Sequence, residues 1–422
     1  MERFVVEGPV ALRGSVEPGG SKNTALPLMC AALLAEGVSE LRNVPDLRDT
    51  RTLIRVLDTL GAKCERDGST LRIDAREVPV REAPYELVKT MRASITVLGP
   101  LLARFGEARV SMPGGCAWGP RPVDLHLEGL ERLSACIDLD HGYIDAKWPK
   151  GSRLKGAEIS FRISSVGATE NVLMAAVLAE GKSVLRNSAR EPDVTSLAEG
   201  LVGMGAKIEG IGTSTLTVEG VDALQPLNFE VPPDRIEVGT FLTAAPATGG
   251  EITVTNCIPD HQSALLEVFR SGGLDMEVGE NYIRVDGRRP MNPVEVVTAP
   301  YPGFPTDMQA QVMAACARSA GVSTLTETIY LDRFTHVAEL RRLGAKIRLD
   351  GNVAVVTGVE KLQGAPVMAT DIRASSALVL AACAAQGVTT VSRIYHIDRG
   401  YERIEQRLAG LGARIVREEE PD

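Results

Sequence analysis

The loop SMPGGCAWGPRPVDLH places one cysteine where the chain can form neither a helix nor a strand. Cys116 lies among three glycines and three prolines, and Arg121 follows five residues later. A free cysteine is most often a small buried residue, and this interpretation suits Cys30, Cys316 and Cys383 in their apolar helices. For Cys116, the loop setting and the nearby guanidinium favour the thiolate, so we expect a reactive thiol.

Six apolar helices begin with polar or charged residues, in the segments GGSKNTA, KTMRASI, ISSVGAT, PPDRIEVG, FPTDMQA and ATDIRAS. Helix capping explains the serines, threonines and aspartates. It does not explain Lys22, Arg92, Arg235 and Arg373, because a cation at a helix start opposes the helix dipole. Helix N-termini also bind anions through their free N–H groups. The four cations therefore predict a shared ligand that carries several negative charges.

These helix starts belong to an internal repeat that covers the chain six times. Each copy has an apolar helix, a glycine, a β-branched strand, a polar turn, an amphipathic helix and one or two further strands. The anchor glycines are 66 to 75 residues apart and are Gly37, Gly106, Gly181, Gly250, Gly321 and Gly387. The first helices, such as NVLMAAVLAE and SSALVLAACAAQ, are apolar nearly all round, which predicts that they are buried.

The repeats predict an α/β (α+β) protein with two domains of three units each. The last copy ends at GARIVREEEPD without closing strands, and the chain begins with two strands that belong to no copy. We expect the N-terminal strands to complete the last copy. The first domain is then 21–229, and the second combines 1–20 with 230–422.

Composition narrows the class of partner. A net charge of −9 argues against nucleic acid as the main ligand. No apolar run reaches the roughly 18 residues of a membrane span, and the N-terminus lacks the apolar segment of a signal peptide. The seven cysteines are scattered without a CxxC motif, and the five histidines are scattered too. We expect reduced thiols, a cytoplasmic location, no membrane insertion and no metal site.

Eight motifs distributed along the chain resemble one known family. The motifs are GGSKNTALPL, TMRAS, PGGCAWGPRPVDLH, SSVGATEN, FPTDMQAQ, DRFTHVAEL, ATDIRASSALV and IYHIDRGYERIE, and the likeness runs in register from about residue 1 to 418. The family is that of the UDP-N-acetylglucosamine 1-carboxyvinyltransferases, enolpyruvyl transferases that open peptidoglycan synthesis. The related 5-enolpyruvylshikimate-3-phosphate synthases share the architecture but lack the cysteine loop.

The resemblance implies two inverse α/β barrel domains, each of three βαβαββ repeats, with the active site in the cleft between them. It implies that the 3′-hydroxyl of UDP-N-acetylglucosamine attacks C2 of phosphoenolpyruvate, that a tetrahedral ketal forms, and that phosphate leaves. No metal and no organic cofactor is implied. The oligomeric state stays open.

The resemblance also implies catalytic roles for five residues. Cys116 would protonate C3 and form a covalent phosphoenolpyruvate adduct, and it would be the target of epoxides of the fosfomycin type. Asp307 would receive the 3′-hydroxyl proton, and Asp371 would assist proton transfer. Lys22 and Arg399 would hold phosphoenolpyruvate. The substrate-binding residues implied are Lys22, Asn23, Arg92, Arg121, Pro122, Val123, Asp124, Leu125, Ile163, Ser164, Ser165, Val166, Asp307, Ile329, Arg333, Arg373 and Arg399.

The chain departs from the family pattern at three positions. Trp118 and Pro120 replace smaller residues, and proline stiffens the cysteine loop because it fixes φ. Ile163 replaces a basic residue found in some members. Two other functions stay open from the sequence: an enolpyruvyl transferase for another hydroxylated acceptor, and a catalytically silent paralogue that only binds.

Overall fold

The structure, a computed structural model, describes residues 2–112 and 123–419. The chain divides into two compact units. We call Gly20–Pro232 the Lys22 unit, and we call the chain up to Gly19 together with the chain from Pro233 onward the Asp307 unit. The boundaries expected from the sequence, at 20/21 and 229/230, lie within three residues of these divisions.

In the described residues, twenty-four strands form six open sheets of four strands each. In chain order the strands are β1 (Glu2–Gly8), β2 (Arg13–Val16), β3 (Val38–Arg42), β4 (Lys63–Asp67), β5 (Thr70–Asp74), β6 (Glu82–Ala83), β7 (Glu107–Ser111), β8 (Cys136–Asp140), β9 (Tyr143–Lys147), β10 (Glu158–Ser160), β11 (Lys182–Arg186), β12 (Lys207–Glu209), β13 (Thr215–Glu219), β14 (Asn228–Glu230), β15 (Glu251–Thr255), β16 (Asp275–Val278), β17 (Tyr282–Asp286), β18 (Glu295–Val297), β19 (Val322–Thr326), β20 (Lys346–Asp350), β21 (Val353–Thr357), β22 (Pro366–Met368), β23 (Gly387–Ser392) and β24 (Arg414–Glu419).

Helices lie between the strands of each repeat. They are α1 (Lys22–Ala31), α2 (Arg48–Leu60), α3 (Tyr85–Val88), α4 (Leu98–Phe105), α5 (Asp124–Arg132), α6 (Val166–Ala176), α7 (Pro192–Gly203), α8 (Arg235–Thr248), α9 (Ser263–Ser271), α10 (Gln309–Cys316), α11 (Thr335–Arg342), α12 (Ala374–Ala384) and α13 (Ile404–Gly410). Short 3₁₀ helices cover Ala32–Leu34, Arg92–Val97, Pro259–Gln262, Thr306–Met308 and Ile394–Arg399.

Every sheet repeats one strand arrangement, and helices alternate with strands, which confirms the predicted α/β class. Two parallel strands lie side by side, and two further strands extend the sheet in antiparallel order beyond the second. A buried helix joins the parallel strands directly in four sheets, whereas the pairs of β14 with β3 and of β2 with β15 join strands that are distant in sequence. The Lys22 unit holds β14-β3-β5-β4, β6-β7-β9-β8 and β10-β11-β13-β12. The Asp307 unit holds β16-β17-β15-β2, β18-β19-β21-β20 and β22-β23-β1-β24. Within the described ranges no sheet closes on itself, so the barrel of the resemblance is an arrangement of separate open sheets.

Only one of the two N-terminal strands completes the last repeat. β1 completes the last sheet as expected, with Val5 opposite both Thr390 and Val416. β2 instead pairs in parallel with β15 and opens another sheet of the same unit. The expectation was wrong for β2 because Arg414–Glu419 itself forms β24, which leaves room for only one further strand.

The first helix of each repeat forms the core, as predicted. In the Asp307 unit, α8, α10 and α12 pack against one another, and every residue of α12 is buried. In the Lys22 unit, α4 packs against α6 and against the 3₁₀ turn that continues α1. The sheets bury alternate residues against these helices, as the pattern of β5 shows. The polar starts of the buried helices are therefore fixed by the apolar core.

The anchor glycines mark the sharp change from helix to strand. Five of the six have φ between 81° and 139°, a region that favours glycine, and in the fourth repeat Gly249 takes this conformation beside Gly250. At the end of the second helix the repeats again use a left-handed glycine, for example Gly61 and Gly205. Ser134, with φ of 71°, takes that place in the second repeat.

Candidate functional site

Asp307 lies in the 3₁₀ turn Thr306–Met308, directly before α10. The guanidinium of Arg333 donates from Nη1 to Asp307 Oδ1 at 2.7 Å and to Thr306 Oγ1 at 3.1 Å. Burial opposes the charge on Arg333, but Asp307 and Asp371 outweigh it, and the pKa of the guanidinium is raised. The Asp307 side chain is 28% exposed, against 8% for Asp371, so Asp307 is the carboxylate that a substrate can reach.

Asp371 fixes the start of α12. Its Oδ1 accepts hydrogen bonds from the backbone N–H groups of Arg373 and Ala374, both at 2.7 Å. Its Oδ2 lies 3.7 Å from Arg333 Nε and accepts no hydrogen bond from the part of the chain that the structure describes. Arg333 therefore stands between the two carboxylates and links them.

Arg373 is almost fully buried and occupied by protein partners. Its Nη2 donates to Asp234 Oδ2 at 2.8 Å, and its Nη1 donates to the carbonyl of Gly400 at 2.8 Å. Its Nε lies 4.0 Å from Asp307 Oδ2, which is too long for a hydrogen bond. Asp234 also caps α8, because its Oδ1 accepts from the N–H groups of Ile236 and Glu237.

Glu327 organises the loops that carry Asp307 and Ile329. Its side chain is fully buried and accepts four hydrogen bonds of 2.8 to 3.0 Å, from the hydroxyls of Thr298 and Thr306 and from the N–H groups of Ile329 and Tyr330. Because Thr306 also accepts from Arg333, Glu327 connects to the pair of Arg333 and Asp307.

Arg399 ends the 3₁₀ helix Ile394–Arg399 and is half-buried. Its neighbours are held on both sides. Asp398 contacts Arg417, and the carbonyl of Gly400 accepts from Arg373.

Lys22 is the first residue of α1 in the other unit, and Asn23 follows it. Lys22 Nζ lies 3.5 Å from Asp49 Oδ2, and both side chains are largely buried. Ser21 caps the helix, and Asp193 Oδ1 accepts from the hydroxyls of Ser21 at 3.0 Å and Thr24 at 2.8 Å. The start of α1 is thus held by two carboxylates.

Glu170 is a buried carboxyl group in α6, close to the same helix start. Burial, followed by the charges of Asp193 and Glu191, raises its pKa well above the ordinary value. Its Oε1 accepts no hydrogen bond within the described ranges. Burial without a hydrogen-bond donor to Oε1 and two negative neighbours therefore both favour the protonated form of Glu170.

The two segments implied for the nucleotide sugar lie side by side. Asp124, which begins α5 after the buried Val123, forms an ion pair with Arg162. Ser165 caps α6 by accepting from Ala168 N–H, and Val166 begins that helix. The remaining members are Leu125, which is buried, Ser164, which is half-buried, and Ile163, which is 59% exposed.

A cavity of about 520 Å³ lies beside these segments, between α5 and β10. Its lining includes the carboxylates of Glu128, Glu131 and Glu158 and the guanidinium of Arg132. A diphosphate is disfavoured in the cavity itself, because three negative charges oppose one positive charge.

Arg92 begins the 3₁₀ helix Arg92–Val97, and its positive charge influences the protonation of His126. Burial and then the charge of Arg92 lower the pKa of His126 to about 3. The neutral imidazole accepts from Asn171 Nδ2 through Nδ1, at 3.1 Å. His126 therefore keeps one tautomer and carries no charge at neutral pH.

Residues 113–122 of the cysteine loop lie outside the ranges that the structure describes. Cys116, Trp118, Pro120, Arg121 and Pro122 lie outside the described residues. Cys30, Cys316 and Cys383 are buried as predicted, and burial raises the pKa of Cys316 and of Cys383 to about 12. Cys136 on β8 is exposed, so burial does not protect it from reagents.

Sequence reasoning missed the acidic partners of the cations at the helix starts. Asp49 accompanies Lys22, and Asp234 accompanies Arg373. These carboxylates offset charges that the sequence analysis attributed to an anionic ligand. Asp234 lies in the segment PPDRIEVG, directly before a predicted helix. Its position as a helix cap was the signal in the sequence that could have drawn attention to it. Glu327 gave no signal, because one acid inside an apolar segment resembles a surface residue.

The described residues show neither a cluster of metal-ligating side chains nor a membrane-spanning helix. No group of three or more histidine, cysteine, aspartate or glutamate side chains there could hold a metal ion. No helix in those same ranges has the length and apolar character to cross a membrane.

Comparison with known proteins decides the family. The family model described as EPSP synthase (3-phosphoshikimate 1-carboxyvinyltransferase) matches residues 6–408. The chain belongs to this family of enzymes. Relatives named UDP-N-acetylglucosamine 1-carboxyvinyltransferase include one from Anaeromyxobacter sp. (strain K), which is 56% identical over 99% of each chain. Another, from Psychrobacter sp. (strain PRwf-1), is 52% identical over 99% of this chain and 96% of the relative.

Solved structures agree with this membership. The enolpyruvyl transferase NikO from Streptomyces tendae is 26% identical and matches with a TM-score of 0.90 over 100% of this chain and 99% of its own. EPSP synthase from Acinetobacter baumannii is 16% identical, with a TM-score of 0.77 over 99% of this chain and 100% of its own. The second likeness shows that the enolpyruvyl transferase fold is shared.

Proposed function

We propose that the chain transfers the enolpyruvyl group of phosphoenolpyruvate to the 3′-hydroxyl of UDP-N-acetylglucosamine and releases phosphate. The observation that carries this proposal is the identity of 52–56%, over nearly the full length, to relatives named for that activity. The reaction would commit the nucleotide sugar to peptidoglycan synthesis in the cytoplasm. Both substrates are small molecules, and no cofactor enters the proposed chemistry.

The addition step needs an acid for carbon and a base for oxygen. Cys116 would give a proton to C3 of phosphoenolpyruvate while the 3′-oxygen bonds to C2 and Asp307 takes the hydroxyl proton. The product is a tetrahedral ketal. The exposure of Asp307 and its contact with Arg333 support this role, because the guanidinium holds one carboxylate oxygen and so fixes the orientation of the other.

The elimination step restores the double bond. The ketal loses phosphate from C2 and a proton from C3, which gives the enolpyruvyl ether. Lys22, Asn23, Arg121 and Arg399 would bind the phosphate and carboxylate of phosphoenolpyruvate, since ammonium and guanidinium groups make strong charge-assisted hydrogen bonds to both. Arg333 and Arg373 would add positive charge, and Asp371 would assist proton transfer.

Their contacts separate the roles of these two arginines. Both terminal nitrogens of Arg373 donate to protein groups, one to Asp234 and one to the carbonyl of Gly400. Arg373 would therefore favour the anionic substrate through its positive charge and by fixing the position of Gly400. Arg333 is paired with Asp307 and would set the orientation of the base.

The nucleotide sugar would lie along Arg92, 121–125, 163–166 and Ile329. The ion pair of Asp124 with Arg162 supports the proposal, because it joins the start of α5 to the residue directly before Ile163, and the two lie far apart in sequence. The exposed side chain of Ile163 offers an apolar contact in place of a charge.

A phosphate-release assay tests the proposal. Release should require both phosphoenolpyruvate and UDP-N-acetylglucosamine, and Cys116→Ser should abolish it. Release with shikimate 3-phosphate in place of the nucleotide sugar would identify a different acceptor. Absence of release with either acceptor, combined with tight binding of the nucleotide sugar, would identify a silent paralogue.

A further inference from the structure

Arg417 on β24 makes a forked ion pair with the residue that precedes Arg399. Its Nη2 lies 2.6 Å from Asp398 Oδ1, and its Nη1 lies 3.1 Å from Asp398 Oδ2. Two parallel hydrogen bonds of this kind fix both the distance and the plane of the carboxylate. The pair is half-buried, with 24% and 29% of the two side chains exposed.

The same guanidinium is itself anchored by three further contacts. Its Nε donates to Glu405 Oε1 at 3.2 Å, and its Nη1 donates to Glu2 Oε2 at 3.0 Å. Its Cζ lies 5.1 Å from the ring centre of Phe4, which is fully buried. Arg417 therefore ties the segment around Asp398 to α13 and to β1.

The segment that carries Arg399 needs such support. A 3₁₀ helix has poorer hydrogen-bond geometry than an α-helix, so Ile394–Arg399 depends on tertiary contacts for its position. On its inner side, Ile394 and Ile397 are buried and the carbonyl of Gly400 accepts from Arg373. On its outer side, Asp398 is held by the fork with Arg417.

We propose that Arg417 is a positioning residue that holds Arg399 in place for phosphoenolpyruvate through its forked ion pair with Asp398. The proposal rests on the proposed function, in which Arg399 binds phosphoenolpyruvate. Arg417 does not touch the substrate. Its removal leaves the carboxylates of Asp398 and Glu405 without their counter-ion, and the 3₁₀ helix then shifts or loosens.

Steady-state kinetics of Arg417→Ala provide the first test. We expect the KM for phosphoenolpyruvate to rise about tenfold, the size of one lost charge-assisted contact, with the KM for UDP-N-acetylglucosamine changed less than about twofold. Arg417→Lys keeps the charge but not the fork, so its effect should be intermediate. Arg414→Ala is the matched control, because Arg414 is on the same strand and pairs with the exposed Glu7.

A double-mutant cycle separates positioning from general destabilisation. If Arg417 acts through Arg399, then Arg417→Ala should add little to the phosphoenolpyruvate defect of Arg399→Ala. Additive losses would overturn the proposal. Equal increases in the KM of both substrates would also overturn it, since they would indicate a general structural role.

Hydrogen exchange gives a readout that does not need activity. Amides of residues 394–401 should exchange faster in Arg417→Ala than in Arg414→Ala, with the rest of the Asp307 unit unchanged. Unchanged exchange in this segment would overturn the proposal even if the wild-type enzyme were active. An inactive wild-type enzyme would instead reject the proposed function, and the exchange data would still report whether Arg417 holds the segment.

Discussion

The two units hold their candidate site residues in different ways. In the Asp307 unit, charged side chains are neutralised by direct contacts: Arg333 with Asp307, and Arg373 with Asp234, at 2.7 and 2.8 Å. At the start of α1 in the Lys22 unit, Lys22 lies 3.5 Å from Asp49, although elsewhere in that unit Asp124 forms a direct ion pair with Arg162. Asp193 there is bound by hydroxyls, and Glu170 is buried with a raised pKa.

This difference shows two ways to fix a charged group at the start of a buried helix. Guanidinium–carboxylate contacts set orientation strongly, but breaking one leaves a buried charge. A looser ammonium pair leaves Lys22 able to reorient, because its three donors rotate on a flexible stem. The Asp307 unit is therefore expected to be the more preorganised part, and the Lys22 unit the more adaptable part.

The largest expected effect is the loss of turnover when Asp307, the proposed general base, is replaced. Asp307→Asn should lower kcat about 10²- to 10⁴-fold, the usual contribution of a general base. The free energy of unfolding should fall as well, because the neutral amide can still accept a hydrogen bond from Arg333 but no longer offsets its buried charge. Asp332→Asn is the control, since Asp332 is exposed one residue before Arg333. A phosphate-release assay measures kcat. An Asp307→Asn variant that keeps a tenth of the wild-type activity would show that Asp307 is not the general base.

The next prediction compares the loss of stability when Asp234, the counter-ion of Arg373, or Asp49, the counter-ion of Lys22, is removed. Asp234→Ala leaves Arg373 buried without its partner and should lower the free energy of unfolding by about 3–5 kcal/mol. Asp49→Ala should cost only about 1–2 kcal/mol, because the contact with Lys22 is longer. Urea unfolding of both variants measures the difference. Equal losses would show that the two units do not differ in preorganisation.

The pH dependence of stability should separate the two buried glutamates. Burial raises the pKa of Glu237 to about 7, although Arg407 lowers it in part. An unfolded glutamate titrates near 4.3, so the stabilisation by protonated Glu237 is complete below that pH and is lost as pH rises to about 7. The loss is on the order of 3 kcal/mol.

Urea unfolding between pH 4.5 and 9 checks this expectation. Glu237→Gln should flatten the curve below pH 7. Glu170→Gln should flatten it over a wider range of pH, because burial and two negative charges raise the pKa of Glu170, whereas Arg407 offsets part of the effect of burial on Glu237. Indistinguishable profiles for the two variants would contradict the contrast between the units.

The smallest effect concerns the nucleotide sugar. Ile163→Lys should lower the KM for UDP-N-acetylglucosamine about two- to fivefold at low salt, since an exposed cation gains up to about 1 kcal/mol from a nearby anion. The gain should fade at high salt. Val202→Lys is the control, because Val202 is an exposed apolar residue on α7 of the same unit. An equal effect of both variants would mean that only net charge matters.

The repeat, the buried helices and the reactive residue types can be predicted from the order of the amino acids alone. Periodic apolar residues and left-handed glycines act locally, so each copy of the pattern could be interpreted without its neighbours. The family motifs then assigned Lys22, Asp307 and Arg399 to substrates. Their roles stay predictions, and Cys116 lies outside the described residues.

Which charged side chains pair with each other depends on the folding of distant segments against one another. Asp234 and Arg373 are 139 residues apart, and Glu2 and Arg417 are 415 residues apart. The pairing of β2 with β15 likewise joins two segments that are distant in sequence. Local propensity cannot select such partners, because every repeat offers similar strands and similar helix starts. The packing of three helices in one core selects them, since burial of a charge is tolerated only where a partner is within reach.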